Sequence, residues 1–294
     1  MIVKLKRILN IFLVLTVVMA GGVSHIGATD TESFNWYCIR AKDHLRPPCP
    51  PELAFVSQYG GYYIDKTKRD DDADRVVYLT FDAGYENGNV AKILDTLQEK
   101  QVTGTFFILG NLITSSPDLV RRMADEGHVV GNHTYHHRDM TRLDSDEFAK
   151  EISSLEEAYG KATGRELSKY YRPPEGRFSE ANLKQVSELG YSTVFWSFAY
   201  ADWDNNNQPS KEAAVKKILE NVHNGAVLLL HPTSKTNADI LPQIIDSLRA
   251  DGYRFGSIDE LCAHGAVSAR NDGDATTRKH EKHKPRTGET MPLE

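Results

Sequence analysis

Residues 76–100 read VVYLTFDAGYENGNVAKILDTLQEK, and their pattern decides the fold. The first seven are mostly apolar, β-branched or aromatic, which is typical of a buried strand. From Asn89 onward, apolar residues recur every three or four positions, as they do on one face of an amphipathic helix. The stretch therefore predicts a strand followed by a helix, with Asp82 near the carboxyl end of the strand.

The same alternation of a short apolar run and an amphipathic stretch continues along the chain, over about seven units. Ser116 and Ser179 stand where helices are predicted to begin, and Gly127, Gly190 and Gly252 stand where they are predicted to end. Strands that alternate with helices pair in parallel, so the predicted fold class is α/β. The number of units favours a barrel over an open sheet, although the pattern by itself allows both.

A secretory signal is predicted in residues 1–28. Basic residues precede an apolar run over 8–20, and small residues follow over 20–28. The run is shorter than the ~20 residues that span a bilayer, so we expect cleavage between Ala20 and Ala28. Because no A-x-A cleavage site is present, an uncleaved membrane anchor is the alternative. Either form predicts a secreted or cell-envelope location.

The overall composition is typical of a globular domain, and the segments on either side of that domain are irregular in pattern. Hydrophobic residues make up 40% and charged residues 26% of the chain, and the net charge of -6 gives no reason to expect a nucleic-acid partner. Residues 29–75 are predicted to form an irregular arm whose aromatic side chains pack on the main domain. Residues 265–294 are predicted to be a disordered polar and basic tail, with loose contact to an anionic wall polymer or membrane as the alternative.

The chain has three cysteines, Cys38, Cys49 and Cys262. In an exported protein, Cys38 and Cys49 could form a disulfide around the proline-rich segment between them, which would leave Cys262 over. Three free thiols are the alternative.

Ionisable side chains collect after the apolar runs. They are Asp82, the histidines of HTYHH, Arg172, Asp202 and His231. In a parallel α/β fold the carboxyl ends of the strands lie on one face, where active sites form. Each residue alone has a structural explanation, such as a helix cap or a salt bridge. Burying all of these ionisable groups together lowers the stability of the protein, and functional sites are where proteins retain such groups. We therefore predict an active site.

His133 and His137 stand four residues apart. On a helical turn such a pair faces the same way and can grip one metal ion, with His136 one step around as a competing ligand. A polar turn rich in imidazole is the alternative.

These segments, in this order, resemble the polysaccharide deacetylase family, the NodB-homology group of carbohydrate esterases. The resemblance rests on TFDAG, HTYHH, RPPEG, ADW and LLLHP, and it spans residues 76–261. TFDAGYENG, SFNWY, GGYYID and SFAYADWDNN further resemble the delta-lactam-biosynthetic de-N-acetylases. Those enzymes act on N-acetylmuramic acid in the peptidoglycan of spore-forming bacteria.

The resemblance implies a distorted (β/α) barrel over residues 76–264 and an exported hydrolase. Its substrate would be the peptidoglycan glycan strand, from which it would remove the N-acetyl group of N-acetylmuramic acid during muramic delta-lactam formation of the spore-cortex type. We expect no stable protein partner. A deacetylase of N-acetylglucosamine polymers and a non-catalytic wall-binding protein are the alternatives.

The resemblance also implies roles for site residues. Asp82 matches the general base, Arg172 the residue that orients it, His231 the general acid, and Asp202 the carboxylate beside that acid. His133 and His137 match the metal ligands. The expected substrate contacts are Tyr85, Asn87, Pro174, Glu175 and Trp203, with Trp203 either a sugar platform or a rim residue of the barrel. The backbone N–H after Pro174 would help to hold the oxyanion, and Glu175 replaces the family's tyrosine without removing that N–H.

Ala83 stands where the family carries the aspartate that is its third metal ligand. The resembled subgroup also lacks that aspartate. Two imidazoles alone make a weak site for a divalent metal such as zinc. Three outcomes stay open: Asp82 serves as both ligand and base, water or substrate completes the shell of a weakly held ion, or no metal binds.

Overall fold

The computed structural model describes residues 30–41 and 43–264. The predicted signal segment and the predicted basic tail lie outside these residues. The strands are β1 (Phe34–Asn35), β2 (Gly61–Tyr62), β3 (Arg75–Ala83), β4 (Thr105–Ile108), β5 (Val129–Asn132), β6 (Tyr170–Tyr171), β7 (Arg177–Phe178), β8 (Ser192–Val194), β9 (Ala226–Leu230) and β10 (Tyr253–Phe255). The helices are α1 (Asn89–Lys100), α2 (Gly110–Ser115), α3 (Pro117–Asp125), α4 (Ser145–Thr163), α5 (Glu180–Glu188), α6 (Lys211–Asn221) and α7 (Lys235–Ala250). Short 3-10 helices span Pro51–Tyr59, Met140–Arg142 and Pro174–Gly176, and residues 258–264 are also helical.

The main sheet is parallel and curled, and β3 pairs with β4, β9 and β10. Its strand order is β10-β3-β4-β5-β6-β8-β2, and β9 also pairs with β3. Beyond β8 the chain reaches β9, where Phe198 forms a parallel bridge to Leu228. The curled parallel sheet confirms the predicted distorted (β/α) barrel.

Apolar side chains fill the space between the sheet and the helices. Val77, Leu79 and Phe81 of β3 are almost completely buried, and Phe81 stacks on Phe106 of β4 with ring centroids 4.8 Å apart. Because both faces of β3 are covered, its sequence is a continuous apolar run rather than an alternating one. This burial holds the carboxyl end of β3, and with it Asp82, in a rigid frame.

The serines and glycines expected at helix ends predicted most of those ends correctly. Ser179 accepts a hydrogen bond from the Asn182 backbone N–H and caps α5 in a capping box. Gly127, Gly190 and Gly252 have φ between 80° and 83°, a left-handed conformation that glycine adopts without strain. Ser116 stands directly before α3, as predicted, but its side chain makes no capping hydrogen bond. Ser116 also ends α2, and its backbone N–H donates to Leu112, so its conformation is set by the preceding helix.

The arm is more regular than predicted. Within residues 30–75, β2 joins the main sheet in parallel with β8, and β1 pairs antiparallel with β7. Its aromatic residues pack on the main domain: Trp36 stacks on Phe195 at 4.5 Å and donates from Nε1 to the Trp196 carbonyl at 2.8 Å. Two-residue strands bury too little to leave a periodic signal, which is why the sequence did not reveal them. The boundary at residue 75 stays a prediction.

The three cysteines are free thiols, which was the alternative, and Cys38 and Cys49 form no disulfide. The Cys38 thiol instead donates to the Trp196 carbonyl at 3.3 Å, and burial raises its pKa to about 12. Within residues 30–41 and 43–264, no helix is both long enough and apolar enough to cross a bilayer.

Candidate active site

A cleft of about 690 Å³ lies at the carboxyl ends of the parallel strands. Seven of the predicted site residues line it: Asp82, Tyr85, His133, His137, Glu175, Trp203 and His231. Arg172 and Asp202 are buried beside it. The ends of different strands and the loops after them therefore bring two carboxylates, three imidazoles and two aromatic rings to one place.

Arg172 is the most constrained charged residue of the site. It is completely buried, directly after β6, and its guanidinium lies over the Phe107 ring at 4.2 Å. Its Nε donates to the Val194 carbonyl at 2.8 Å, and its Nη2 donates to Thr80 Oγ1 at 2.9 Å and to the Phe195 carbonyl at 3.2 Å. These contacts aim the remaining nitrogen, Nη1, at the cleft.

Asp82 receives that nitrogen. Arg172 Nη1 donates to Asp82 Oδ1 at 2.7 Å. Burial alone would raise the pKa of Asp82, but the charge of Arg172 first, and then His133 and His231, oppose it and hold the pKa below its ordinary value. Asp82 is thus a carboxylate at neutral pH, with Oδ2 turned toward the histidines, as a general base requires.

His133 and His137 share the cleft, but the turn between them is not helical as predicted. Thr134 and His137 both adopt left-handed φ angles, 74° and 57°. The two rings nevertheless meet edge to face, with centroids 5.1 Å apart. His136 is not a competing ligand: its side chain is 63% exposed and pairs with Glu151, outside the cleft.

The tautomer of His133 follows from its surroundings. Nδ1 lies 2.8 Å from the Arg172 carbonyl, so it carries the proton and donates. Burial lowers the pKa of His133 to about 4, so the ring is neutral at pH 7. Its unprotonated Nε2 then lies 3.6 Å from Asp82 Oδ2. Two electron-pair donors that face each other at this distance suit a cation between them.

The donor set stops short of a complete metal site. Across the described parts of the chain, no group of three or more His, Cys, Asp and Glu side chains is arranged to hold a metal ion. Ala83 is fully buried in the apolar core and supplies no ligand, and Asp82 Oδ1 is occupied by Arg172. The residues fit a divalent cation that is held by the imidazoles of His133 and His137. Its affinity would be low, because a third protein ligand is missing.

His231 and Asp202 form a second hydrogen-bonded pair. His231 Nδ1 donates to Asp202 Oδ1 at 2.7 Å, and the His231 backbone N–H donates to Oδ2 at 2.9 Å. Burial alone would lower the pKa of His231, but the Asp202 hydrogen bond and charge outweigh it, and the pKa is raised. With Nδ1 committed to Asp202, Nε2 is the nitrogen that can donate a proton into the cleft.

Asn237 supports this pair, and sequence reasoning missed it. Its buried Nδ2 donates to Asp202 Oδ2 at 2.6 Å and to the His231 carbonyl at 3.1 Å. Tyr200 Oη donates to Asn237 Oδ1. The available signal was the spacing Ser234-x-x-Asn237, since Ser234 caps α7 and places Asn237 in the first turn of that helix.

Two aromatic residues stand at the mouth of the cleft. Trp203 is 61% exposed and Tyr85 is 43% exposed, which is unusual for large apolar rings. The Trp203 ring lies 6.3 Å from that of His231, and Asn205 Nδ2 donates to Tyr85 Oη at 2.5 Å. Both rings therefore present exposed faces at the cleft.

Of the three remaining predicted substrate contacts, one lines the cleft and two do not. Glu175 lines the cleft with φ 57° and forms an ion pair with Arg177 at 2.9 Å. Asn87 and Pro174 are not among the residues that line the cleft, and their role as substrate contacts stays a prediction. Asn87 Nδ2 donates to the Thr233 carbonyl at 2.8 Å and so joins two loops, while Pro174 is buried beneath the surface.

Comparison with known proteins agrees with this geometry. The polysaccharide deacetylase family model matches residues 69–194. The chain is 42% identical over 246 residues to the peptidoglycan-N-acetylmuramic acid deacetylase PdaA of Bacillus subtilis strain 168, across 83% of this chain and 92% of that protein. It is 35% identical over 189 residues to a peptidoglycan-N-acetylglucosamine deacetylase of Bacillus cereus, across 63% of this chain and 67% of that protein.

The fold agrees as well. The solved structure of Bacillus subtilis PdaA, described as a family 4 carbohydrate esterase, superimposes with a TM-score of 0.74 over 79% of this chain and 97% of that chain. Identity of 42% over nearly the whole relative, together with the shared fold, decides the assignment. The chain therefore belongs to the polysaccharide deacetylase family.

Proposed function

We propose that the chain removes the N-acetyl group from N-acetylmuramic acid residues of peptidoglycan. The observation that carries the proposal is that Asp82 and His231 line the same cleft with opposite pKa shifts. A carboxylate kept ionised and an imidazole whose protonated form is stabilised are the base and acid that amide hydrolysis needs. The similarity to PdaA over 92% of its length supports N-acetylmuramic acid as the substrate.

The residues assign the proton transfers of the reaction. Asp82 accepts a proton from water as the water oxygen bonds to the acetyl carbon, and Arg172 keeps Oδ1 fixed during this step. His231 then donates its Nε2 proton to the departing nitrogen as the carbon–nitrogen bond breaks, which releases acetate and a free amine. Asp202 stabilises the imidazolium form that must exist before that donation.

The proposal includes a weakly held divalent metal ion, zinc by its nitrogen ligands, at His133 and His137. When bound, such an ion would polarise the acetyl carbonyl as a Lewis acid. The facing Nε2 of His133 and Oδ2 of Asp82 support the site, and Ala83 explains why it would be weak.

The backbone N–H of Glu175 is proposed as a donor to the oxyanion. Glu175 lines the cleft, and its left-handed φ of 57° belongs to the tight turn after Arg172. Tyr85 and Trp203 are proposed as the faces that contact the sugar, since aromatic rings pack well on apolar sugar surfaces. The glycan strand would thus enter between two loops.

We also propose that the chain is exported to the cell envelope, that the deacetylase domain spans residues 76–264, and that the product amine leads to a muramic delta-lactam in cortex-type peptidoglycan. Support comes from the basic and apolar N-terminal segment and from the resemblance of SFNWY, GGYYID and SFAYADWDNN to that subgroup. Loose contact of the basic C-terminal residues with an anionic polymer or membrane belongs to the same proposal.

Deacetylation of N-acetylglucosamine is the second candidate. It is favoured by the 35% identity to the Bacillus cereus N-acetylglucosamine deacetylase. The purified protein should be incubated with peptidoglycan glycan strands and with chitin oligomers, followed by an acetate assay and mass analysis of the fragments. Loss of one acetyl group from the muramic residue supports the proposal. Loss from glucosamine alone supports the second candidate, and no acetate release from either indicates a binding protein.

A further inference from the structure

Glu151 is a buried carboxylate that the proposed reaction does not use. It lies on the apolar face of α4, next to the buried Phe148, Ile152 and Leu155, and is only 4% exposed. Burying a carboxylate is unfavourable unless its oxygens are hydrogen-bonded. Its location therefore calls for a specific partner.

Both oxygens of Glu151 are used on one residue. Oε2 accepts the His136 backbone N–H at 2.8 Å, and Oε1 accepts from His136 Nδ1 at 2.7 Å. His136 itself is largely exposed and takes no part in the cleft. These two hydrogen bonds therefore fix the chain at residue 136, directly before His137.

The chain at this point needs these hydrogen bonds. Thr134 and His137 are left-handed although neither is glycine, so the turn is strained and persists when its surroundings hold it. The Thr134 backbone N–H donates to Asn132 Oδ1 at 2.8 Å, and the His137 backbone N–H donates to Thr134 Oγ1 at 3.0 Å. Glu151 holds the backbone N–H between these two.

The other side of the turn is held by packing. The Gly110 backbone N–H donates to the Tyr135 carbonyl at 3.1 Å. A side chain at Gly110 would lie 2.6 Å from the Tyr135 ring, so the two segments are in close contact. With α2 on one side and α4 on the other, the ring of His137 has a defined position opposite His133.

We propose that Glu151 is a positioning residue for the reaction: by holding His136 through its backbone N–H and its ring, it fixes the strained turn that presents His133 and His137 to the cleft. The inference rests on the proposed function for the role of the two imidazoles. The geometry of the turn itself is independent of the substrate.

The test compares Glu151→Met with Glu151→Gln. Methionine fills a similar volume on the apolar face of α4 but cannot accept the two hydrogen bonds. Glutamine can accept the backbone N–H through its oxygen and donate to Nδ1 through its amide. We expect Glu151→Met to lower kcat about 10- to 100-fold with little change in KM, and Glu151→Gln to stay within about 3-fold of wild type, since outer hydrogen bonds to functional histidines contribute at this level. Glu157→Met, at an exposed position of the same helix, is the matched control and should retain wild-type activity.

Amide hydrogen exchange of residues 133–137 gives a readout that does not depend on any substrate. We expect faster exchange in Glu151→Met while the thermal unfolding midpoint is unchanged or higher, because a buried charge has been removed. Wild-type exchange and wild-type kcat in Glu151→Met would overturn the proposal. Equal losses in the methionine and glutamine variants would also overturn it, since charge rather than geometry would then matter. If wild type releases acetate from neither sugar, the proposed function fails while the exchange result still decides the turn.

Discussion

Arg172 reaches Asp82 at 2.7 Å from a guanidinium that is itself held by two backbone carbonyls and a threonine hydroxyl. The contact is therefore a fixed part of the core rather than a flexible surface ion pair. Its rigidity gives Asp82 one orientation toward the cleft.

Arg172→Lys should disable this arrangement. A lysine has one nitrogen and cannot serve four acceptors at once, so buried carbonyls lose their donors. We expect at least ~100-fold less acetate release and a loss of about 3 kcal/mol in the free energy of unfolding, measured in urea. Arg177→Lys, at a partly exposed arginine that pairs with Asp139 and Glu175, is the control. Full activity in Arg172→Lys would contradict the orienting role.

Asp82→Asn tests the base. Asparagine keeps the size of the side chain but cannot take a proton, so kcat should fall about 10²- to 10⁴-fold. KM should change little, because the cleft keeps its shape. Asp204→Asn, in an exposed turn, should behave as wild type. Unchanged binding and unchanged deacetylation in Asp82→Asn would show that the base has been wrongly assigned.

Asp202→Asn tests the acid through the pH dependence of kcat. The acid must be protonated, so activity falls as pH rises through the pKa of His231, which the Asp202 hydrogen bond and charge hold above its ordinary 6.5. Asparagine removes the negative charge and leaves burial dominant, which lowers the pKa. The falling limb of the pH profile should therefore move to lower pH. A limb that stays in place would assign the titration to another group.

Asn237→Ala should weaken the hydrogen-bonded pair of His231 and Asp202. It removes both donors of Nδ2 and leaves Asp202 Oδ2 with one fewer hydrogen bond. We expect a ~10-fold drop in kcat, in line with other outer hydrogen bonds of functional residues. Asn221→Ala, at the end of α6, gives the background effect of the substitution. Identical kcat values for the two variants would remove Asn237 from the site.

Trp203→Ala should act on binding rather than chemistry. Removing an exposed ring at the cleft mouth should raise KM for glycan strands about 10-fold, which corresponds to ~1.4 kcal/mol, and leave kcat nearly unchanged. Tyr37→Ala, an exposed aromatic outside the cleft lining, is the control. A fall in kcat without a rise in KM would indicate that Trp203 acts on His231 instead.

Helix and strand positions followed from local patterns. α1 runs over Asn89–Lys100, the residues that its apolar spacing predicts, and β3 extends the predicted strand by one residue at each end. Asp82 and His231 could be selected because they follow apolar runs. Periodicity and capping depend on neighbours a few positions away, so they can be read along the chain.

Tertiary contacts decided the rest. Glu151 lies inside an ordinary-looking helix, and nothing near it in sequence indicates that it faces His136. The spacing Ser234-x-x-Asn237 marks the start of a helix, but it does not indicate that Asn237 contacts Asp202 and His231. The left-handed turn at His137 and the short strand β2 likewise depend on partners far along the chain. The hydrogen bonds that orient these side chains join segments that are far apart in sequence. No local pattern in either segment shows that the two will meet. The sequence therefore predicted which side chains belong to the site. The tertiary contacts determined how those side chains are oriented.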